Sequence, residues 1–381
     1  MRPGLRPMRA LPLLEARRTE LEKCVFCPKL CRSACPVSNA EPRETVTPWG
    51  KMSSAWMTAH GDVPLDPSHA RPAWACTGCL ACQESCDHRN PVARVLLDAR
   101  DALTRRGVAP EAAQRVLRRF DRHNERTRAA ARRLATAGSV RRQSEDALLI
   151  GCGYLRAARR EAGDAIDAAT GLLGPTAIVE ECCGLPLLLA GDGERFLGHA
   201  RAVARSLEAY GRVIVLDAGC ALGLSRSYAE AGVTLAPRVE PLVRLAASRL
   251  SALAPVVPSP TEPVRWHDPC QLGRGMGIYD EPRNVLARLL GRPPGEFEDN
   301  RDQAICSGGG GLLPSTMPEV ARTIAGARLD AHARSGGGRV VTACASSLIA
   351  LRSRTRGTGV VVDDLVTWIA RGLRAGKKRR G

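Results

Sequence analysis

The apolar positions change rhythm near Ala147. Upstream of it the periodic stretches are helical. Pro91–Arg106 reads as one helix that Gly107 stops. Pro110 followed by Glu111 opens the next, since proline fits a first turn and an acid suits the N-terminal dipole. Val116, Leu117 and Phe120 give this second helix an apolar stripe, and Gly138 ends it. Downstream, short β-like runs alternate with helical ones. The runs are Ala147–Gly151, Ala177–Glu181, Arg212–Leu216 and Val233–Ala236, then Val264–His267, Gln303–Ile305, Arg339–Thr342 and Gly359–Val362. Such alternation predicts βαβ units and parallel sheets. A Pro/Ser stretch, Pro255–Pro263, divides the runs into two groups and reads as a linker.

The two groups look like copies of one α/β unit. Each has a cysteine after its opening strand, Cys152 or Cys270. Each has a middle motif, Cys182-Cys183-Gly184 or Cys306-Ser307-Gly308, and a cysteine after a later strand, Cys220 or Cys344.

Composition narrows the class. A hydrophobic fraction of 44% and a charged fraction of 25% are ordinary for a globular chain of 381 residues. The chain has 15 cysteines, an odd number, many at C-x-x-C spacing. Arg2, Arg6 and Arg9 precede an apolar run, Ala10–Leu14, too short for a signal peptide, and no run is long enough to cross a membrane. Thiols at such spacing in a cytoplasmic chain predict metal ligands rather than disulfides. The formal charge is +17, nearly all of it arginine. It reads either as solvated helix faces or as a docking surface for an acidic partner or for headgroups at the inner membrane face. Aromatic residues at 3% leave few stacking platforms, so nucleic acid is not expected as a partner.

Eight cysteines fall before residue 98. Cys76-x2-Cys79-x2-Cys82-x3-Cys86 has the bacterial ferredoxin spacing, with Asp87 where proline is usual. Cys24-x2-Cys27-x3-Cys31-x3-Cys35 keeps its proline, Pro36, but has one extra residue before its third cysteine. In two-cluster ferredoxins the remote fourth cysteine ligates the other cluster. The spacing therefore predicts two [4Fe–4S] clusters, one on Cys24, Cys27, Cys31 and Cys86, the other on Cys76, Cys79, Cys82 and Cys35. Zinc prefers separated C-x-x-C knuckles, so a zinc-stabilised binding protein is the weaker alternative. The wide gap between the motifs points to an all-helical two-cluster domain.

The downstream cysteines carry a more specific resemblance. Cys182-Cys183-Gly184 after Cys152, and Trp266-His267-Asp268-Pro269-Cys270 followed by Tyr279-Asp280-Glu281-Pro282-Arg283, resemble the cysteine-rich CCG-domain family. It includes the B and D subunits of heterodisulfide reductases and the iron–sulfur subunits of glycolate oxidase and anaerobic glycerol-3-phosphate dehydrogenase. The resemblance implies a two-cluster ferredoxin-type domain over 1–98, a basic helical connector over 99–143, and α/β cysteine-rich domains over 144–254 and 264–375. It also implies that a full unit supplies a lone cysteine, an adjacent pair and a C-x-x-C.

Measured against that pattern, the first unit keeps Cys152, Cys182, Cys183 and Cys220, with Asp217 in place of the other C-x-x-C cysteine. The second keeps Cys270, Cys306 and Cys344, with Ile305 and Ser347 where cysteines are expected. A further [4Fe–4S] centre is therefore expected only in the first unit. The glycines of Ser307–Gly311 are expected to pack closely around Cys306, and His267 to be structural or to donate to a sulfur.

The resemblance implies an electron-transfer subunit. It would take electrons from a flavoprotein dehydrogenase acting on a 2-hydroxy acid or glycerol 3-phosphate and pass them to quinone or another carrier. The alternative is a disulfide reductase.

Overall fold

The computed structural model describes residues 12–25, 27, 31–136, 144–256 and 262–380. Arg2, Arg6, Arg9, Gly138 and most of the Pro255–Pro263 stretch lie outside these residues. The chain divides into two compact units that do not follow chain order. The first holds the described residues up to Phe120 together with Pro186–Arg195 and Gly308–Ile324. The second holds Asp121–Leu185, Phe196–Ser307 and the described residues from Ala325 onward.

The described part of the first unit is helical, as the motif spacing predicted. Its central helix, Pro48–His60, starts on Thr47, whose side chain accepts from the Gly50 N–H, and stops at Gly61 in the left-handed conformation. The helix Val92–Arg105 runs through the expected boundary at residue 98. It buries Val92, Val95, Leu96, Ala99, Ala102 and Leu103 at helical spacing. These meet Leu21, Met52 and Trp74 in one core. A second core gathers Cys35, Val37, Val46 and Ala75 with Leu313, Met317, Ala321 and Ile324. The single helix expected after Pro110 is two helices, Glu111–Arg118 and Phe120–Thr136, broken at Arg119.

The second unit carries two parallel sheets. One has the order β2-β1-β3-β4, built from β1 (Asp146–Leu149), β2 (Ala177–Ile178), β3 (Arg212–Val215) and β4 (Arg238–Pro241). The other has the order β5-β6-β7, built from β5 (Val264–Trp266), β6 (Arg339–Thr342) and β7 (Val361–Asp364). Their registers superimpose the repeats. Asp146 pairs with Arg212, and Arg212 with Arg238; Val264 pairs with Arg339, and Arg339 with Val361. The bridge Arg265–Gly295 stands where Ala147–Ala177 stands in the first repeat. One hydrophobic core, with Tyr154, Trp266 and Trp368, spans both repeats.

Two predicted strands are corrected. Val233–Ala236 is loop, and the strand is the more polar Arg238–Pro241. That strand lies at a sheet edge, with buried Glu240 beside Arg212 and Arg238. Gln303–Ile305 is not a strand either; Arg301–Gln303 forms a single 3₁₀ turn.

Candidate metal centres

In the first unit, Cys24, Cys27, Cys31 and Cys86 line one cavity of about 130 Å³, with Trp49, Asn90 and Cys82 also on its walls. Cys24 ends the helix Arg18–Val25, so its carbonyl is free to accept from the Cys27 N–H at 3.1 Å. Asn90 donates to Cys24 Sγ at 2.9 Å and to the Glu20 carbonyl at 2.8 Å. Burial pushes the Cys24 thiol up to about 12, with Asn90 acting against it, and pushes Cys31 up to about 11 with Cys86 adding to the rise. Buried thiols of this kind stay protonated alone and become thiolates when a metal supplies the positive charge.

The other four cysteines gather beside two buried cations. Gly78 (φ +68°) and Leu80 (φ +64°) turn the backbone of the second motif, and the Gly78 N–H points at Cys76 Sγ at 3.3 Å. Lys51, 2% exposed, places Nζ 3.4 Å from Cys35 Sγ. Burial pulls this ammonium down, but Cys35, then Cys76 and Cys82, outweigh it, and the net shift is upward. Burial raises Cys82 well above its ordinary range, and Cys76, Cys79 and Cys35 add to the rise. Arg100, also 2% exposed, donates to the carbonyls of Ala73 (2.9 Å), Cys76 (3.2 Å), Leu189 (2.9 Å) and Gly311 (3.1 Å). Burial lowers it to about 10, with Cys76 opposing.

Two glycines of the run, Gly310 and Gly311, pack here. A Cβ on Gly311 would sit 2.0 Å from the Cys76 carbonyl oxygen, and one on Gly310 would sit 2.5 Å from that of Thr77. Glycine lets the Gly308–Ile324 segment lie directly on the cysteine loop.

In the second unit, the first repeat brings its four cysteines together. Cys152 opens a helix just beyond β1, and Cys220 lies in the helix Ala218–Leu222 just beyond β3. The thiols interact in a row, Cys152 with Cys182, Cys182 with Cys183, and Cys183 with Cys220. These contacts lower Cys152 and Cys183 and raise Cys182 and Cys220. Asp217 caps the helix by accepting from the Cys220 N–H at 3.3 Å, and it accepts from the Ala345 N–H of the other repeat at 3.0 Å. Burial pushes its carboxyl up to about 6.

The sequence reading missed His123. It comes from the helix Phe120–Thr136, upstream of both repeats, and no spacing marks it. Ligand atoms of His123, Cys152 and Cys182 all lie within 4.8 Å of one another. Arg156 reaches His123 Nδ1 at 2.6 Å, and Asn124 accepts from the Cys182 N–H at 3.0 Å.

The second repeat is depleted. Cys270 and Cys344 fall at the strand offsets of Cys152 and Asp217, and Ser347 falls at that of Cys220. Gly184 and Gly308 share φ +82°, which aligns Cys182 with Cys306 and Cys183 with Ser307. The second member of the pair is therefore Ser307 rather than a cysteine lost at Ile305, which is 38% exposed. Ser307 Oγ donates to Ser347 Oγ at 3.0 Å, a buried contact in the place of the Cys183–Cys220 one. Cys344 is pushed up to about 12 by burial and then by Asp217. His267 is structural. Arg328 donates to its Nδ1 at 3.2 Å, and burial followed by Arg328 lowers it to about 3. In the same motif Arg283 binds Asp268 through two hydrogen bonds of 2.8 Å.

Residues 20–90 match the 4Fe-4S dicluster domain, and 147–225 and 264–352 each match the cysteine-rich domain. The chain belongs to the cysteine-rich-domain family of iron–sulfur proteins. One subunit of the fumarate reductase (CoM/CoB) of Methanothermobacter marburgensis is 30% identical over 197 residues, 51% of this chain and 37% of that one. One subunit of the dihydromethanophenazine:CoB–CoM heterodisulfide reductase of Methanosarcina barkeri is 23% identical over 391 residues, 93% of this chain and 94% of that one. The EtfAB:quinone oxidoreductase of Syntrophomonas wolfei is 27% identical over 274 residues, 62% of this chain and 36% of that one. Iron–sulfur cofactors follow from these families. Among the described residues, no helix is long and apolar enough to cross a membrane.

Proposed function

We propose that the chain is the electron-transfer subunit of an oxidoreductase complex. Cys24, Cys27, Cys31 and Cys86 would hold one [4Fe–4S] cluster; Cys35, Cys76, Cys79 and Cys82 would hold a second. The observation that carries the reading is the crossing of the two motifs. Cys86 shares a cavity with the first motif's cysteines, and Cys35 lies with those of the second. A third centre would rest on Cys152, Cys182, Cys183 and Cys220. Cys270, Cys306 and Cys344 offer only three thiols and would scaffold.

Bound clusters take up and release single electrons. The chain's own residues would set where those electrons rest. Asn90 and the Gly78 N–H donate to thiolate sulfurs, and packing around Trp74, Met52 and Leu313 keeps water from them. The electron donor would be a flavoprotein dehydrogenase and the acceptor a quinone or another carrier. The relative named as a quinone oxidoreductase supports that direction. A second reading is disulfide reduction at the first repeat. It is favoured by the clustered, interacting thiols there and by the near full-length relative from a heterodisulfide reductase.

Anaerobic purification tests the proposal. The protein should be brown, carry about twelve irons with matching sulfide, about eight in the two cubanes and about four in the third centre, and carry no zinc. In the full chain, Cys183→Ser should remove the third centre's paramagnetic signal and Cys306→Ser should leave it. Zinc in place of iron and sulfide would refute the reading.

A further inference from the structure

The two four-cysteine sets of the first unit differ in the charge built around them. Beside Cys24, Cys27, Cys31 and Cys86, among the described residues, a buried neutral amide, that of Asn90, reaches sulfur. Among the described residues, the charged side chains on that cavity are Lys23 and Asp87, which are opposite in sign and solvent-exposed, so water screens both. Beside Cys35, Cys76, Cys79 and Cys82 lie two cations, Lys51 and Arg100, each 2% exposed. Lys51 makes a hydrogen bond to a sulfur, and Arg100 holds the carbonyl of a cysteine in the set.

An oxidised cubane on four thiolates carries a charge of about −2, and one-electron reduction takes it to about −3 with no bond made or broken. Cations held in a low-dielectric interior stabilise the more negative state more. We propose that Lys51 and Arg100 give the cluster on Cys35, Cys76, Cys79 and Cys82 the higher reduction potential of the pair. That cluster is then the first to be reduced and the resting place of an electron entering this unit. The inference builds on the two-cubane reading above.

Its position adds to the case. Through Leu189 and Gly311, Arg100 also grips both segments that follow the middle motifs of the two repeats. The favoured cluster is thus the one built against the parts of the unit that the chain supplies from its cysteine-rich half.

The test is a redox titration of the anaerobically purified full chain, with dithionite as the one-electron reductant and the reduced-cluster paramagnetic signal as the readout. Once the third centre's signal is subtracted by comparison with Cys183→Ser, the cubane pair should show two separable steps. Lys51→Met and Lys51→Gln should each lower only the upper step, by at least tenfold in its one-electron equilibrium constant, which is about 59 mV. Lys51→Arg should restore it. The Gln variant keeps a donor to Cys35 while losing the charge, so it separates charge from hydrogen bonding. Iron content equal to wild type in each variant shows that no cluster has been lost. The inference is overturned if Lys51→Gln keeps the wild-type upper step, or if the lower step moves instead. A chain with no cubanes at all overturns the reading beneath it, and the inference with it. Two intact cubanes with potentials indifferent to Lys51 overturn the inference alone.

Discussion

Gly311→Ala tests whether the Gly308–Ile324 segment builds the second cluster site. The added carbon would sit 2.0 Å from the Cys76 carbonyl oxygen and 2.8 Å from the Thr77 backbone, where ordinary contact begins at 3.4 Å. Neither neighbour is a flexible side chain, so one backbone must give way by roughly 1 Å in a close-packed interior. The left-handed φ of +64° adds about 1–2 kcal/mol for any residue with a Cβ. The shift also strains the bond from Arg100 to the Gly311 carbonyl, at about 1.5–3 kcal/mol for a charged donor. The total, roughly 3–5 kcal/mol, falls on the loop that carries Cys76 and Cys79. Gly107→Ala is the control, since its φ is +75° but nothing lies within 4 Å of its Cβ position. Iron and sulfide are then measured in anaerobically purified protein. Gly311→Ala should lose about four irons relative to wild type, and Gly107→Ala none. Equal iron content in the two variants would refute the reasoning.

Cys86→Ser should damage the cluster of Cys24, Cys27 and Cys31 and spare the one of its own motif; spectra showing the reverse would undo the ligand assignment. Tyr154→Phe should destabilise the second unit in a pH-dependent way. Tyr154 donates to Asp364 at 2.6 Å, and burial raises that carboxyl from 3.8 to about 7 despite the bond. The folded state therefore holds the extra proton between these values, and stability falls as pH rises from about 4 to 7. Losing the donor should cost about 1.5–3 kcal/mol above pH 7 and clearly less near pH 5, read as unfolding midpoints; an equal loss at both would contradict the account. Ser307→Cys with Ser347→Cys completes a five-thiol set with Cys270, Cys306 and Cys344. The double variant should bind about four more irons than wild type, and unchanged iron would show that the repeat lacks more than ligands.

Local signals in the sequence were legible. The eight upstream cysteines are marked by spacing within a few residues, and the doubled α/β unit by recurring cysteines after apolar strands. What the sequence hid depends on distant partners. Lys51 and Arg100 read as two more charges in a basic chain until a helix carries each into the interior. His123 joins Cys152 and Cys182 from a helix upstream of the repeat. Arg238–Pro241 hid because its charged edge-strand residues pair with Arg212 and Glu240, while the more apolar Val233–Ala236 beside it is loop. The letters set Ser307 opposite Cys183 in the motif comparison and yet also offered Ile305 as the missing partner. The shared backbone conformation at Gly184 and Gly308 decides between them.

The four carbonyls around Arg100 also dictate a timetable. A ribosome releases the ferredoxin-type cysteines first, and N-terminal parts of a chain usually fold as they emerge. Two of Arg100's acceptors, Leu189 and Gly311, are synthesised roughly 90 and 210 residues later. Until then a guanidinium destined for the interior lacks half its partners, and the loop bearing Cys76 lacks the glycine segment that closes over it. The second four-cysteine set is thus completed only when most of the chain exists. An interrupted translation product would carry an incomplete cluster site, and its metal and sulfide would be open to oxygen.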